Sequence, residues 1–373
     1  MNNILNPKKV KHKMTKIKLF DPHIDENEKI QLLRVLDSHF WASGAGIEDV
    51  KRFEQKFSEY VNAKDSIALN SGTAALNLAL SMYDIKNKEV ILPSLSFVAT
   101  ANAVIENGGI PKFVDVDDET LCIDYEKMSK AISKRTKVIL PVHFAGFPAD
   151  LSKISNLCKE NGVHLVEDAA HAAGSVYKNR KIGSHGEMVC FSFHPVKNLA
   201  MPTGGLISVN RKDHEQITRI LKEKRWCGIS SRENTDYDVK NLGWNYYMNE
   251  FSAAIGLVQL KKLDKTNKMR RKVAKKYQKE IILESKMPYD DGCSYHFYWI
   301  RVKNRTELRK KLLEKGIETG THYKPIHSFS LYKSKTNLPI TEKVGSEIIS
   351  LPTHPNLTDQ DIERVIKTIN SLL

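Results

Sequence analysis

One lysine in this chain stands where an amine could act as a nucleophile. Cys190-Phe-Ser-Phe-His-Pro-Val-Lys-Asn198 reads as a short apolar strand broken at Pro195. Lys197 follows the break, ahead of Thr203-Gly-Gly205 and a second strand, Leu206–Val209. A lysine in such a loop at a sheet edge loses part of its water, which lowers its pKa and frees the amine to attack a carbonyl carbon. Among 58 lysines and arginines, most are solvated surface groups, so Lys197 draws its interest from its company. Asn70-Ser-Gly-Thr-Ala-Ala-Leu76 closes the strand-like run Ser66–Leu69 and opens a helix. The amides of Gly72, Thr73 and Ala74, with the Thr73 hydroxyl, would hold an anion there; the plainer alternative is a helix cap by Ser71 or Thr73. The spacing matches neither the Walker pattern nor the dinucleotide glycine fingerprint.

Val163-His-Leu-Val-Glu-Asp-Ala-Ala-His171 is an apolar strand that ends in Asp168. A carboxylate at such a tip is costly unless a cation meets it, and a protonated pyridine nitrogen would do so; otherwise Asp168 caps the next turn. His171 by itself reads as a packed polar residue. Phe97, after Pro93-Ser-Leu-Ser, either stacks on a flat ring or opens a helix as its first core residue. Taken together, a phosphate cradle, an aromatic, a strand-end acid, Ser192 and Lys197 are the parts that hold pyridoxal phosphate. The acid keeps the ring nitrogen protonated and the lysine forms the Schiff base.

The elements that must position these residues alternate. β-rich runs at Glu89–Leu92, Lys112–Val116, Val138–Val142, His164–Glu167, Met188–Phe193 and Leu206–Val209 are separated by helical stretches at Thr73–Met82, Phe97–Glu106, Asp124–Ser133 and Leu151–Glu160. Such alternation predicts an α/β fold with a mostly parallel sheet covered on both faces and ligands at the carboxyl ends of its strands. Ahead of it, Asp25 to Phe40 carries Ile30, Leu33, Leu36 and Phe40 at helical spacing, and Ile47 to Tyr60 resumes helix after the loop Trp41–Gly46. Beyond about residue 212 the pattern turns helical and ends in a long helix over roughly 249–283. A smaller α+β unit follows, with a strand at His296–Val302 and helices at Thr306–Lys315 and Thr358–Leu373. The expected divisions are a basic disordered tail over 1–18, a large domain over 19–270 and a small one over 271–373.

At 373 residues, 41% hydrophobic and 27% charged, the composition is that of a globular protein with a large core. No apolar run is long enough to span a bilayer, and no secretory signal is read at the start. The five cysteines lack paired spacing, which argues against a metal cluster or disulfide framework and places the chain in the cytoplasm. Much of the net charge of +14 comes from the tail and from Lys261–Glu280, where ten basic residues face two acids. Leu263, Met269, Val273 and Tyr277 recur there at helical spacing, so that run is the wet face of an amphipathic helix and not a nucleic-acid site.

The motifs, in their order, resemble the DegT/DnrJ-type sugar aminotransferases. Those carrying the likeness are Ser71–Leu76, Pro93–Thr100, Glu167–His171, Ser192–Lys197 with Gly204-Gly205, Gly243–Glu250, Ala253–Leu260 and Gly320–His327. The resemblance spans nearly all of residues 20–373. It implies the fold-type-I architecture of aspartate aminotransferase, with a large, mostly parallel seven-stranded sheet and a smaller C-terminal α+β domain.

It also implies pyridoxal 5′-phosphate as cofactor and Lys197 as the Schiff-base lysine. Asp168 would meet the pyridine nitrogen, Phe97 the ring face and His171 the ring oxygen, while Gly72, Thr73, Ala74 and Ser192 would hold the phosphate. Asn245 would complete a neighbouring subunit's site, hence a homodimer, and His322, Tyr323 and His327 would approach the sugar. One departure stands out: Asn245-Tyr-Tyr-Met248 carries Tyr247 where relatives commonly have arginine, leaving Arg225 or Arg232 as substitutes. A second is Met201-Pro-Thr-Gly-Gly205, where relatives usually read Thr-x-Gly-Glu-Gly-Gly. The implied reaction moves an amine from a donor, glutamate, to a nucleotide-linked 4-keto-6-deoxy sugar, with no metal. Alternatives are a 3-keto sugar, a cyclitol or other free ketone, and a non-catalytic regulator or nucleic-acid binder of the same fold. Sugar dehydration is disfavoured, because relatives that dehydrate carry histidine in place of this lysine.

Overall fold

The structure, a computed structural model, describes residues 16–333 and 336–373. Among the described residues the first helices are α1 (Glu26–Asp37) and α2 (Asp49–Val61). Strands and helices then alternate: β1 (Asp65–Leu69), α3 (Gly72–Leu80), β2 (Glu89–Pro93), α4 (Ala99–Glu106), β3 (Ile110–Val114), α5 (Tyr125–Ala131), β4 (Thr136–Ile139), α6 (Leu151–Asn161) and β5 (His164–Asp168). The short pair β6 (Val176–Tyr177) and β7 (Arg180–Lys181) precedes β8 (Met188–Ser192), β9 (Gly205–Val209) and α7 (His214–Arg225). A hairpin, β10 (Ile229–Glu233) and β11 (Asp236–Val239), leads to the long α8 (Glu250–Glu280). Last come β12 (Tyr298–Arg301), α9 (Arg305–Glu314), α10 (Pro339–Glu347), β13 (Ile348–Leu351) and α11 (Asp359–Leu372).

Seven strands form the expected sheet in the order β1-β9-β8-β5-β4-β2-β3. Only β9 runs against its neighbours. The ends of β1, β2, β5 and β8 therefore emerge on one edge, as the alternation of strand and helix predicts. Apolar side chains such as Ile67, Val90, Val166, Cys190 and Ile207 are buried on one face of this sheet. Ala68, Val189, Phe191 and Leu206 are buried on the other, against Phe53 and Phe57 of α2. The remaining core, around Phe144, Tyr277, Trp299 and Ile366, lies where β12, β13 and α11 meet the large sheet's flank.

Three outcomes differ from the expectations. α1 forms and is capped by Asp25, whose carboxylate accepts from the Asn27 amide at 2.9 Å while Glu28 reaches back to the Asp25 amide. Its apolar stripe, however, points outward: Ile30, Leu33 and Leu36 are exposed, and Val35 and Glu28 are the buried positions. The region after residue 212 is not wholly helical, because β10 and β11 interrupt it with a turn at Asn234. Residues 16–18, expected within the tail, are tied to the body of the chain instead. Ile17 is buried and bridges to Ile317, and Lys16 pairs with Glu318. The expectation for residues 1–15 lies outside the described residues. α8 runs unbroken through position 270; its first turns pack on α1 and α2 and its last on α11.

Candidate active site

A cavity of about 320 Å3 opens at the carboxyl edge of the sheet and gathers most of the predicted residues: Gly72, Thr73, Phe97, Asp168, His171, Ser192, Lys197, His322 and Tyr323. Lys197 closes a turn begun by His194, its amide bonding to the His194 carbonyl at 2.8 Å with Pro195 pre-setting the bend. The loop beyond is pinned. Asn198 donates to Asn267 and to the Ser294 carbonyl, both at 2.8 Å, and Phe193 exchanges backbone bonds with Gly204 and Met201. Burial lowers the Lys197 amine to a pKa of about 8, against the opposing pull of Asp168.

Asp168 ends β5, between β8 and β4. Successive residues of a strand face opposite sides. Glu167 therefore turns away to a buried bond with His143 at 2.8 Å, while Asp168 turns toward the cavity. Its carboxylate accepts from the Thr100 hydroxyl at 2.8 Å and the Ala170 amide at 3.1 Å. Burial nevertheless pushes its pKa up, so a cation in the cavity is what this carboxylate still wants. His171 is buried, its Nε2 3.0 Å from the Tyr323 hydroxyl, and burial beside Lys197 keeps it neutral. His322 is held down to about 4 by burial and Lys197, with its Nδ1 2.7 Å from Ser350 Oγ. Phe97 is 56% exposed at the cavity wall, 6.0 Å from the Tyr323 ring.

At the first turn of α3 the amides of Gly72 and Thr73 have no intrahelical acceptor. A side chain on Gly72 would strike Ser192 Cβ at 2.7 Å, and one on Gly205 the Ser71 carbonyl at 2.1 Å, so glycine is what lets β8 and β9 approach this turn. Ala74 is not free to join them, because the Ser71 hydroxyl caps its amide at 3.1 Å. The cap reading holds at Ala74, and the amides of Gly72 and Thr73 are left open to an acceptor.

Two predicted residues lie elsewhere. His327 is buried, with Nδ1 2.7 Å from Ser94 Oγ and Nε2 3.3 Å from Glu342, and it does not line the cavity. Asn245 is exposed and outside its own chain's cavity; its carbonyl accepts from Asn70 at 3.2 Å. Arg225 cannot stand in at Tyr247. It is fully buried, bonded to Glu54 at 2.5 Å and to the carbonyls of Ala68 and Ala45. Arg232 instead shares with Tyr247 a separate cleft of about 610 Å3, its guanidinium 4.8 Å over the Trp226 ring. Thr100 and His194 were not singled out from the sequence. A threonine at a helix start carries no distinguishing pattern.

The site fits pyridoxal phosphate. It offers two free amides and a serine for a phosphate, a desolvated carboxylate for a ring cation, an aromatic wall, and an amine shifted toward neutrality. In such a site Lys197 can add to an aldehyde and then carry protons.

The sequence pattern of the DegT/DnrJ/EryC1/StrS aminotransferase family matches residues 22–370. The spore coat polysaccharide biosynthesis protein SpsC of Bacillus subtilis is 33% identical over 94% of this chain and 96% of its own length. Among solved structures, the putative sugar aminotransferase Spr1654 of Streptococcus pneumoniae, solved in apo, pyridoxamine-phosphate and pyridoxal-phosphate forms, is similar. Its pyridoxal-phosphate form superposes with a TM-score of 0.90 at 26% identity, over 96% of this chain and 98% of that one. Helicobacter pylori PseC, an aminotransferase of pseudoaminic acid biosynthesis, gives 0.90 at 28% identity, over 96% and 99% of the two chains. The chain belongs to the DegT/DnrJ/EryC1/StrS family and is a pyridoxal-phosphate-dependent sugar aminotransferase.

Proposed function

We propose that the chain moves an amino group from glutamate to the keto carbon of a nucleotide-linked 4-keto-6-deoxy sugar, as a cytoplasmic homodimer. The observation that carries this is the Lys197 amine, set in the same cavity as a buried carboxylate and the free amides of α3. When bound, the cofactor supplies an aldehyde that takes up the amine and a ring that accepts the electrons left behind by a departing proton.

The chain does the rest. Gly72, Thr73 and Ser192 hold the phosphate, and Asp168, steadied by Thr100, keeps the ring nitrogen protonated. Phe97 covers a ring face, and His171 meets the ring oxygen. A pKa near 8 raises the neutral fraction of Lys197 at pH 7 roughly 300-fold over a free lysine, which suits it to take a proton from the donor's α-carbon in one half-reaction and to deliver one to the sugar carbon in the other. His322 and Tyr323 face the sugar. Two facts support a dimer: the outward apolar stripe of α1, and an exposed Asn245 that its own cavity does not use. Arg232 shares the cleft with Tyr247, where it would supply the missing cation. The net charge of +14 suits a diphosphate-bearing substrate.

The test is a single-turnover reaction of cofactor-loaded protein with glutamate, followed by a 4-keto-6-deoxy nucleotide sugar. The visible band is expected to bleach with release of 2-oxoglutarate and to return as the amino sugar forms. Lys197→Ala is expected to cut the rate by at least about 10^3-fold. A Lys197→Ala protein with native turnover would overturn the reading.

A further inference from the structure

His171 is one ring in a column of four. Phe20 stacks on His296 at 5.1 Å with 14° between planes, His296 on His171 at 4.6 Å and 27°, and His171 on Tyr323 at 6.0 Å and 16°. Phe144 and Phe297 meet His171 edge-on, at 6.4 and 5.5 Å. The column runs from the chain's first described strand-like residues to the cavity. Its outer end is anchored: Ile17 bridges to Ile317 and the Leu19 amide donates to Glu318 at 3.1 Å, so Phe20 is held against the small domain.

His296 is 1% exposed and does not line the cavity, so it cannot touch a ligand there. It makes no side-chain hydrogen bond that would explain an imidazole: its Nδ1 is buried without a partner, as is that of His171. An unpaired buried nitrogen is a cost that a phenyl or leucine side chain would not carry. Burial holds it neutral, reinforced by the titratable groups around it, Lys197, His171, Arg270 and His322. A neutral planar ring can lie flat against His171.

We propose that His296 is a positioning residue: clamped by Phe20, it sets the plane of His171 and through it the ring-oxygen end of the cofactor. The inference rests on the proposed contact between His171 and that oxygen. A hydrogen-bonding imidazole left free to tilt about its χ2 would meet the oxygen in a range of orientations. Two parallel neighbours, His296 behind and Tyr323 ahead, reduce the range to one. The Tyr323 hydroxyl at 3.0 Å then settles which nitrogen of His171 remains available.

The full-length protein loaded with pyridoxal phosphate provides the test, through the affinity for the cofactor and the pH at which its visible band changes. His296→Leu keeps volume without a ring and His296→Phe keeps a ring without nitrogen. The leucine variant is expected to bind the cofactor about tenfold more weakly and to move the midpoint of the band by about one pH unit. The phenylalanine variant is expected to stay within about twofold of native, since the stack survives. Native behaviour in the leucine variant would overturn the proposal, and so would equal impairment in both. Phe20→Leu, at the solvent end of the column, should reproduce the leucine effect at smaller amplitude even if position 296 tolerates no change. Native protein that binds pyridoxal phosphate without a visible band at Lys197 would overturn the proposed function, and this inference with it; a native band with unaltered variants overturns this inference alone.

Discussion

At the floor of the cavity both oxygens of Asp168 are met from within the chain, by Thr100 and the Ala170 amide. On the surface made by α1 and the 41–47 loop, Leu33, Leu36, Trp41 and Ile47 are largely exposed. The floor is complete in one chain and is held by β5, β8 and α4. The outer surface, with the Tyr247–Arg232 cleft beside Trp226, has the chemistry of a wall that waits for company. The contrast teaches that the floor, which on the proposed reading holds the cofactor, is built by one chain, while closing the site over it is left to the proposed pair.

The largest effect is expected at the floor. Asp168→Asn removes the charge that holds a ring proton while keeping Thr100 in reach, and turnover should fall by about 10^2–10^3-fold in a steady-state assay. The same change should raise the melting temperature of the cofactor-free protein at neutral pH. Burial lifts the carboxyl's pKa, so the folded state carries a penalty above that pKa which vanishes in acid. A variant that loses activity without gaining stability would show that Asp168 is not strained by its burial.

The wall should respond through assembly. Leu33→Glu with Leu36→Glu on α1 places two charges where two exposed leucines now stand. If each leucine is covered in a dimer at a gain of about 1.5–3 kcal/mol, the pair should weaken association by 100-fold or more. Sedimentation at micromolar protein reads this directly, and a weaker dimer should also release cofactor sooner. An unchanged dimer would move the interface away from α1.

What was legible in the sequence follows the same division. The floor could be read because each part is a strand end or a helix start with its own signature: an apolar run stopping at Asp168, Ser71-Gly72 opening a helix, Pro195 breaking a strand before Lys197. The family likeness then set these parts in order. Periodicity placed α1 but not the direction its stripe faces, since a helix that binds another chain and one that binds its own core carry the same spacing. The hairpin of β10 and β11 escaped because, from Ser231 through Val239, its residues are exposed and have no alternation to read. β13 escaped as a run of only four residues, Ile-Ile-Ser-Leu, too short to show a period. His327 was misplaced for a local reason. The turn at Ile326–Ser328 rotates it away from Tyr323 and inward to Ser94, which residue spacing alone does not reveal.

The smallest effect concerns the joint between the two regions. Glu250 begins α8, and its amide donates to the Trp41 carbonyl at 2.8 Å. One of its carboxylate oxygens accepts from the Val50 amide at 3.1 Å, while the other is buried without a partner. Burial, with Asp49 and Glu48 adding repulsion, raises its pKa from 4.5 to about 7. The Val50 and Asp49 backbone amides oppose the shift without cancelling it. Because the folded-state pKa lies above the unfolded one, the unfolded chain gives up its proton first. Stability therefore falls as pH rises from about 4.5 to about 7 and stays low above that. Glu250→Gln keeps an acceptor for the Val50 amide and removes the charge. Its melting temperature should exceed native by roughly 2 °C at pH 8, the scale of about 1 kcal/mol in a chain of this size, and match it at pH 4.5. An equal gain at both pH values would assign the effect to packing, and would leave the hold of α8 on the Trp41 loop insensitive to pH.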